Sequence, residues 1–153
     1  MSGERSGQEL VMVGVDGSAA SVRALSWAAR YATATGARVQ AVLAWHYPAA
    51  AGQAPVGIAP DPVHRGTEAE QLAILDKAIA QAYSGQPGPA AEARLGCGHP
   101  AQVLIEGSKE ADLLVVGSHG HGAFTGMLVG SVTIHCVTGA FCPVVVVRGT
   151  DAD

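Results

Sequence analysis

Short apolar runs alternate along the chain with stretches whose apolar residues recur every three or four positions. Residues 10–15 (LVMVGV) form a first apolar run of β type, followed by the turn residues Asp16, Gly17 and Ser18. Val22, Leu25, Ala29 and Ala32 then repeat at helical spacing, and Gly36 supplies a stop. A second strand is expected at 39–45 (VQAVLAW). Residues 46–66 carry Pro48, Pro55, Pro60 and Pro62 among glycines, which predicts a loop that is long for a compact domain. Thr67 and Glu70 have capping-box spacing ahead of a stripe of Leu72, Leu75, Ile79 and Ala82. The run 85–89 (GQPGP) breaks that helix, and 91–97 is a weakly patterned strand candidate. Pro100 suits the first position of a third helix, with Val103, Leu104 and Ala111 inward. A fourth strand is expected at 112–117 (DLLVVG), a helix from about Ser131, and a last strand at 143–148 (PVVVVR).

The order is therefore β-α-β-α-β-α-β-α-β. The first, fourth and last strands are almost wholly apolar rather than alternating, the mark of strands covered on both faces in a parallel sheet. Right-handed crossovers turn that order into a doubly wound, three-layer α/β/α domain. Ligands of such sheets bind beyond the carboxyl ends of the strands, where the strand order reverses. With the first strand central, Asp16 and Gly117 both fall at that place.

Composition narrows the function classes. The chain has 153 residues, 48% hydrophobic and 14% charged, enough for one buried core. Its net charge is −4, and its nine Lys and Arg form no run, which argues against a nucleic-acid partner. The start (MSGERSGQE) is polar and apolar runs are short, so neither a secretory leader nor a membrane span is expected. Cys97, Cys136 and Cys142 are odd in number and lack metal-type spacing; they read as reduced, buried packing residues of a cytoplasmic protein. Residues 1–8 read as a flexible N-terminus, 9–149 as a single domain and 150–153 as a tail.

The residues that carry chemistry lie between the fourth strand and the last helix. From Gly117 the chain reads GSHGHGAFTGMLVGSVT, with glycines at 117, 120, 122, 126 and 130. Glycine lets backbone N–H groups converge closely on a phosphate, and a helix start adds unpaired N–H groups and the positive end of the dipole. Ser131 suits a helix cap or a hydroxyl donor to a phosphate oxygen. No Gly-Lys-Ser/Thr is present, so this is not a Walker A loop, and Gly120, Gly122 and Gly126 do not have dinucleotide spacing. On glycine content alone, a ligand-free surface loop competes equally.

The spacing Gly117, Gly120, nine residues, Gly130-Ser131 resembles the ATP-binding branch of the universal stress protein family. So do VGVDGS at 13–18, Leu43-Ala44-Trp45 at the end of the second strand, and CPVVVVR at 142–148. The resemblance spans about residues 10–148. It implies a Rossmann-like sheet of five parallel strands in the order 3-2-1-4-5, of the adenine nucleotide alpha hydrolase type. It also implies ATP and Mg2+ as ligands, with the ion bridging the phosphates. Asp16 would then accept from the ribose or adenine side, and Ala44 would offer backbone groups to the base. Gly117, Gly120, Gly130 and Ser131 would hold ribose and phosphates, with His119 and Val132 beside them. The same segments place Gly14, Ser118, His121 and Gly122 along the site. The resemblance further implies a homodimer through the last strand, whose valines would otherwise form an exposed apolar edge.

Two departures stand out. Many family members carry Arg in the loop where this chain has His119 and His121, and Gly139 stands where a His often precedes the Cys-Pro step. Single residues have rival readings. Asp16 suits a helix cap as well as a ligand contact. His119 with His121, and Cys97 with His99, each lack a further metal ligand and are assigned none. Trp27 and Tyr31, four apart, suit packing or a dimer surface. Three functions fit in descending order: a nucleotide-dependent stress-response regulator with an unidentified protein partner, a slow Mg-dependent ATPase with His119 or His121 as base, and a flavodoxin-like module. Few aromatics flank the loop to stack a flavin. Because a free imidazole titrates near about 6.5, the two loop histidines predict tighter ATP binding near pH 6 than above pH 7. Calorimetric titrations giving one affinity at both values would overturn this expectation.

Overall fold

Every paired strand runs parallel to its neighbours, so each connection must cross from one end of the sheet to the other. The computed structural model describes residues 7–45, 66–119 and 130–149. Its elements are β1 (Leu10–Gly14), α1 (Ala19–Thr35), β2 (Arg38–Trp45), α2 (Glu68–Tyr83), β3 (Ala91–Cys97), α3 (Pro100–Ser108), β4 (Leu113–Gly117), α4 (Ser131–Gly139) and β5 (Val144–Val147). The strand order is β3-β2-β1-β4-β5, as the resemblance implied. The 46–65 part of the proline-rich segment lies outside the described residues, as do 1–6 and 150–153.

The period of two along each strand sorts the core into two layers. Val11, Val13, Val39, Leu43 and Val115 face α1 and α2, where Leu25 and Leu75 meet them. Met12, Val42, Leu114 and Val116 face α3 and α4, against Leu104 and Cys136. Both faces of β1 and β4 are thus covered, which is why their sequences are continuously apolar. Each fully buried Val, Leu or Met side chain contributes roughly 1.5–3 kcal/mol of burial.

Local signals end the helices as the sequence indicates. Gly36 adopts φ 80° after α1, and its N–H reaches Ala32 O. Thr67 and Glu70 form the reciprocal capping box of α2. Pro100 occupies the first turn of α3. Trp27 and Tyr31 stack with centroids 5.3 Å apart and planes 15° from parallel, packed at the margin of the α1 layer.

One weakly supported expectation is borne out and another changes. The weak segment at 91–97 is a full strand paired along its length with β2. Its pattern is poor because it is an edge: Glu92 and Arg94 face solvent, bonded across to Arg38 (3.1 Å) and Gln40 (3.4 Å). None of the three cysteines is in a disulfide, but they are not all buried. Cys136 is sealed beneath α4, Cys142 is half-buried, and Cys97 is exposed at the end of the β3 edge. Burial pushes the Cys136 thiol up to about 11 by penalising the thiolate. At neutral pH, Cys97 and the half-buried Cys142 should therefore react with a thiol-labelling reagent in folded protein, Cys97 faster, while Cys136 reacts only on denaturation. Fast labelling of Cys136, located by peptide mass spectrometry, would contradict this burial.

Candidate functional site

The carboxyl ends of β1 and β4 are adjacent, and the chain leaves them in different ways. Val15 continues past β1 with its N–H on Val42 O (2.8 Å). The chain then turns through Asp16, whose Oδ1 accepts from the Ser18 N–H at 2.9 Å. Ser18, not Asp16, caps α1: its side chain accepts from the Ser21 N–H. Ser21 Oγ donates to Ser18 O (2.9 Å) and lies 3.4 Å from the Asp16 N–H. The capping role considered for Asp16 therefore passes to Ser18, and the carboxylate is held in an Asx turn at the head of the sheet.

On β4, Gly117 is fixed by packing. A Cβ there would lie 2.8 Å from Ala20 O and 2.9 Å from Ala20 C, so α1 can approach β4 only over a glycine. Ser118 N–H donates to Val147 O at 3.0 Å, extending the β4–β5 edge by one bond. Ser118 is 2% exposed, and its Oγ lies 3.1 Å from His119 Nδ1. Gly120, His121 and Gly122 lie outside the described residues.

The chain re-enters at Gly130, whose N–H donates to Ser118 O at 2.6 Å. Gly130 is the N-cap of α4, with φ −76° and ψ 163°. No side chain caps this helix. The capping role considered for Ser131 is thus overturned: Ser131 is the first helical residue, one place too late to cap. The first bond of the ladder runs from Ile134 N–H to Gly130 O (3.0 Å), so the amides of Ser131, Val132 and Thr133 stand at the open start of the helix. The Val132 side chain packs into the α3–α4 layer, leaving its backbone as the part it can offer.

Thr133 is the residue that sequence reasoning missed. Its buried Oγ1 donates to Gly117 O at 2.7 Å and ties α4 to the end of β4. A hydroxyl three residues past the cap is a visible signal, but one easily taken for an ordinary helical position.

Two further predicted residues have definite places. Gly14 ends β1 beneath α3; a Cβ would lie 2.7 Å from Leu104 Cδ1, so its bareness serves packing. Ala44 is buried in β2 opposite Gly96. Val42 O points toward β1 and Trp45 O toward β3, where Gly98 N–H meets it. By strand alternation, the Ala44 peptide groups point toward β1, beyond its last paired residue Gly14. No cluster of three or more His, Cys, Asp or Glu able to hold a metal occurs among the described residues. No described helix is long and apolar enough to cross a membrane.

A doubly wound parallel sheet with a carboxylate turn and an open helix start at its switch point is an open α/β architecture of the Rossmann-like kind. The chain belongs to the universal stress protein family, whose model matches residues 9–148. A universal stress protein of Mycolicibacterium smegmatis is 37% identical over 140 residues, covering 90% of this chain and 45% of that one. The chain thus spans under half the length of that relative. A universal stress protein crystallised in complex with cAMP is 31% identical, with a TM-score of 0.63 over 91% of this chain and 95% of that one. UspA from Lactobacillus plantarum gives 26% identity and a TM-score of 0.69, covering 92% and 97%.

Replacing Gly117 with Ala should lower unfolding free energy by about 1–3 kcal/mol, the usual cost of overpacking, because its contacts are backbone rather than movable side chain. Urea denaturation measures this, and an unchanged midpoint would show that α1 can retreat without cost.

Proposed function

We propose that residues 9–149 form one ATP-binding domain that acts as a nucleotide-dependent stress-response regulator and works as a homodimer. The observation that carries this reading is the uncapped start of α4, fastened beside the end of β4 and sharing the sheet head with the Asp16 turn. Three convergent amides and a helix dipole favour a phosphate group. Asp16 would meet the ribose or base, and the Ala44 N–H and C=O offer the donor-acceptor pair that an adenine edge requires. The relative solved with cAMP supports an adenine nucleotide as the ligand class.

The donor set suits Mg2+ arriving with the nucleotide. Mg2+ keeps several waters and binds through few protein oxygens plus phosphates, and the described residues supply no closed cage. Asp16 and Ser131 carry side-chain oxygens at the sheet head. The ion would offset phosphate charge in a chain of net −4.

The two sheet edges support pairing through β5. The β3 edge carries Glu92 and Arg94, charges that discourage strand addition. The β5 edge is Val144–Val147, all partly exposed and without charge. Three cysteines without a disulfide among them suit a reducing compartment such as the cytoplasm.

A weak ATPase is the second reading, favoured by the His119 imidazole that Ser118 Oγ orients at the mouth of the loop. Calorimetry with Mg-ATP, followed by timed ADP release, separates the two. Saturable binding without linear turnover is the expected result. Gly130→Glu, which sets a carboxylate against the phosphate position, should abolish binding while circular dichroism confirms folding. No heat with Mg-ATP, AMP or cAMP would overturn the nucleotide reading.

A further inference from the structure

Threonine hydroxyls inside helices ordinarily turn back on their own helix. Thr33, Thr35 and Thr138 each donate to the carbonyl four residues earlier, at 2.8, 2.9 and 3.0 Å. Thr133 does not follow them. α4 begins at Ser131 with Gly130 as its N-cap. Thr133 therefore has no carbonyl of its own helix four places back. Its Oγ1 crosses to the sheet instead and donates to Gly117 O at 2.7 Å. Thr133 is 4% exposed, so the contact is shielded from water.

The peptide group between Gly117 and Ser118 is held from both sides. Its carbonyl accepts from Thr133 Oγ1, and its N–H donates to Val147 O at 3.0 Å. The next carbonyl, Ser118 O, accepts from the Gly130 N–H at 2.6 Å. The start of α4 is thus attached to the end of β4 at two points, one at the cap and one three residues on. A single attachment would fix a distance and leave the helix start free to pivot. The second fixes its direction. Neither attachment uses the amides of Ser131, Val132 and Thr133, which are the donors that the proposed phosphate would meet.

We infer that Thr133 is a positioning residue for the phosphate group: its hydroxyl aims the open amides of α4 by fastening the helix to Gly117 O, without touching the ligand. This rests on the nucleotide-binding reading above and deepens it, because part of the affinity is assigned to a buried side chain turned to the sheet. Amides bind a phosphate well only when they converge at hydrogen-bond distance and angle. They hold that geometry only as firmly as the groups behind them allow. Valine has the shape of threonine without the hydroxyl proton, so Thr133→Val removes the fastening and keeps the bulk. Losing one charge-assisted hydrogen bond to the phosphate corresponds to about tenfold or more in affinity.

The test is calorimetric titration of Mg-ATP into the full chain, with urea denaturation alongside to read stability separately. Thr133→Val should bind about tenfold or more weakly, while Thr133→Ser, which keeps the hydroxyl, should stay within about threefold of the parent. Ser108→Ala is the control for stability alone. It removes the Oγ that accepts from the Phe141 N–H, at 2.9 Å, just past the far end of α4. It should lower the urea midpoint and leave Mg-ATP affinity at the parental value. If Thr133→Val does not fold, Thr133→Cys, with a weak S–H donor, replaces it and is held to the same loss. Parental affinity in folded Thr133→Val overturns the positioning role and leaves the nucleotide reading standing. An equal loss in Thr133→Ser or in Ser108→Ala does the same. A parent that takes up no Mg-ATP, AMP or cAMP overturns both.

Discussion

The site depends on a tie between two segments far apart in sequence: the last residues of β4 and the first turn of α4. Gly130 N–H meets Ser118 O, and Thr133 Oγ1 meets Gly117 O, both in buried surroundings. A buried carbonyl left without a donor costs about 1–3 kcal/mol, so the two contacts also satisfy groups that the end of a strand would otherwise strand. No side chain caps α4, and neither contact occupies the amides of Ser131, Val132 and Thr133. α1, by contrast, closes its own start with Ser18 and Ser21, so the two helices nearest the switch point divide the roles: one closed, one open.

Much of the layered fold was legible because its signals are local. The four apolar runs, the Gly36 stop and the Thr67–Glu70 box need only neighbouring residues to act, and all lie where the pattern put them. The signals that were weak or misplaced depend on context outside the segment. β3 reads poorly because one face of an edge strand can carry Glu92 and Arg94 while Ala91 and Leu95 still pack. Asp16 and Ser131 both looked like caps because Asp and Ser suit that position equally well; only the path of the chain decides that Ser18 and Gly130 occupy it. Thr133 reads as an ordinary helical position for the same reason, since its partner is a carbonyl sixteen positions earlier.

The edges show a different kind of economy. A parallel sheet of five strands leaves two rows of unpaired backbone groups. At β3, cross-strand pairs such as Arg38–Glu92 put charge beside the open row. Such exposed pairs add little stability, so their effect is mainly to discourage a further strand. β5 has no such device; α4 carries its apolar flank out beside it, and the stacked Trp27 and Tyr31 lie on the α1 side. The asymmetry between the edges thus has a physical direction before any partner is considered.

The glycine motif that marks the loop combines two separate requirements. Gly117 must be bare because Ala20 lies against it, a demand of helix-on-sheet packing that would hold with or without a ligand. Gly14 meets a similar demand from Leu104, although there a side chain rather than backbone is the neighbour and can yield. Gly130 is different: its φ of −76° is open to any residue, so conformation alone does not call for glycine. Being buried at the N-cap, it leaves the mouth of α4 without a side chain. A cap such as Ser or Asp would occupy the amides that the open start presents. Stability would favour the cap, and a phosphate guest of the kind proposed would favour its absence, so the bare N-cap at Gly130 fits the proposed reading.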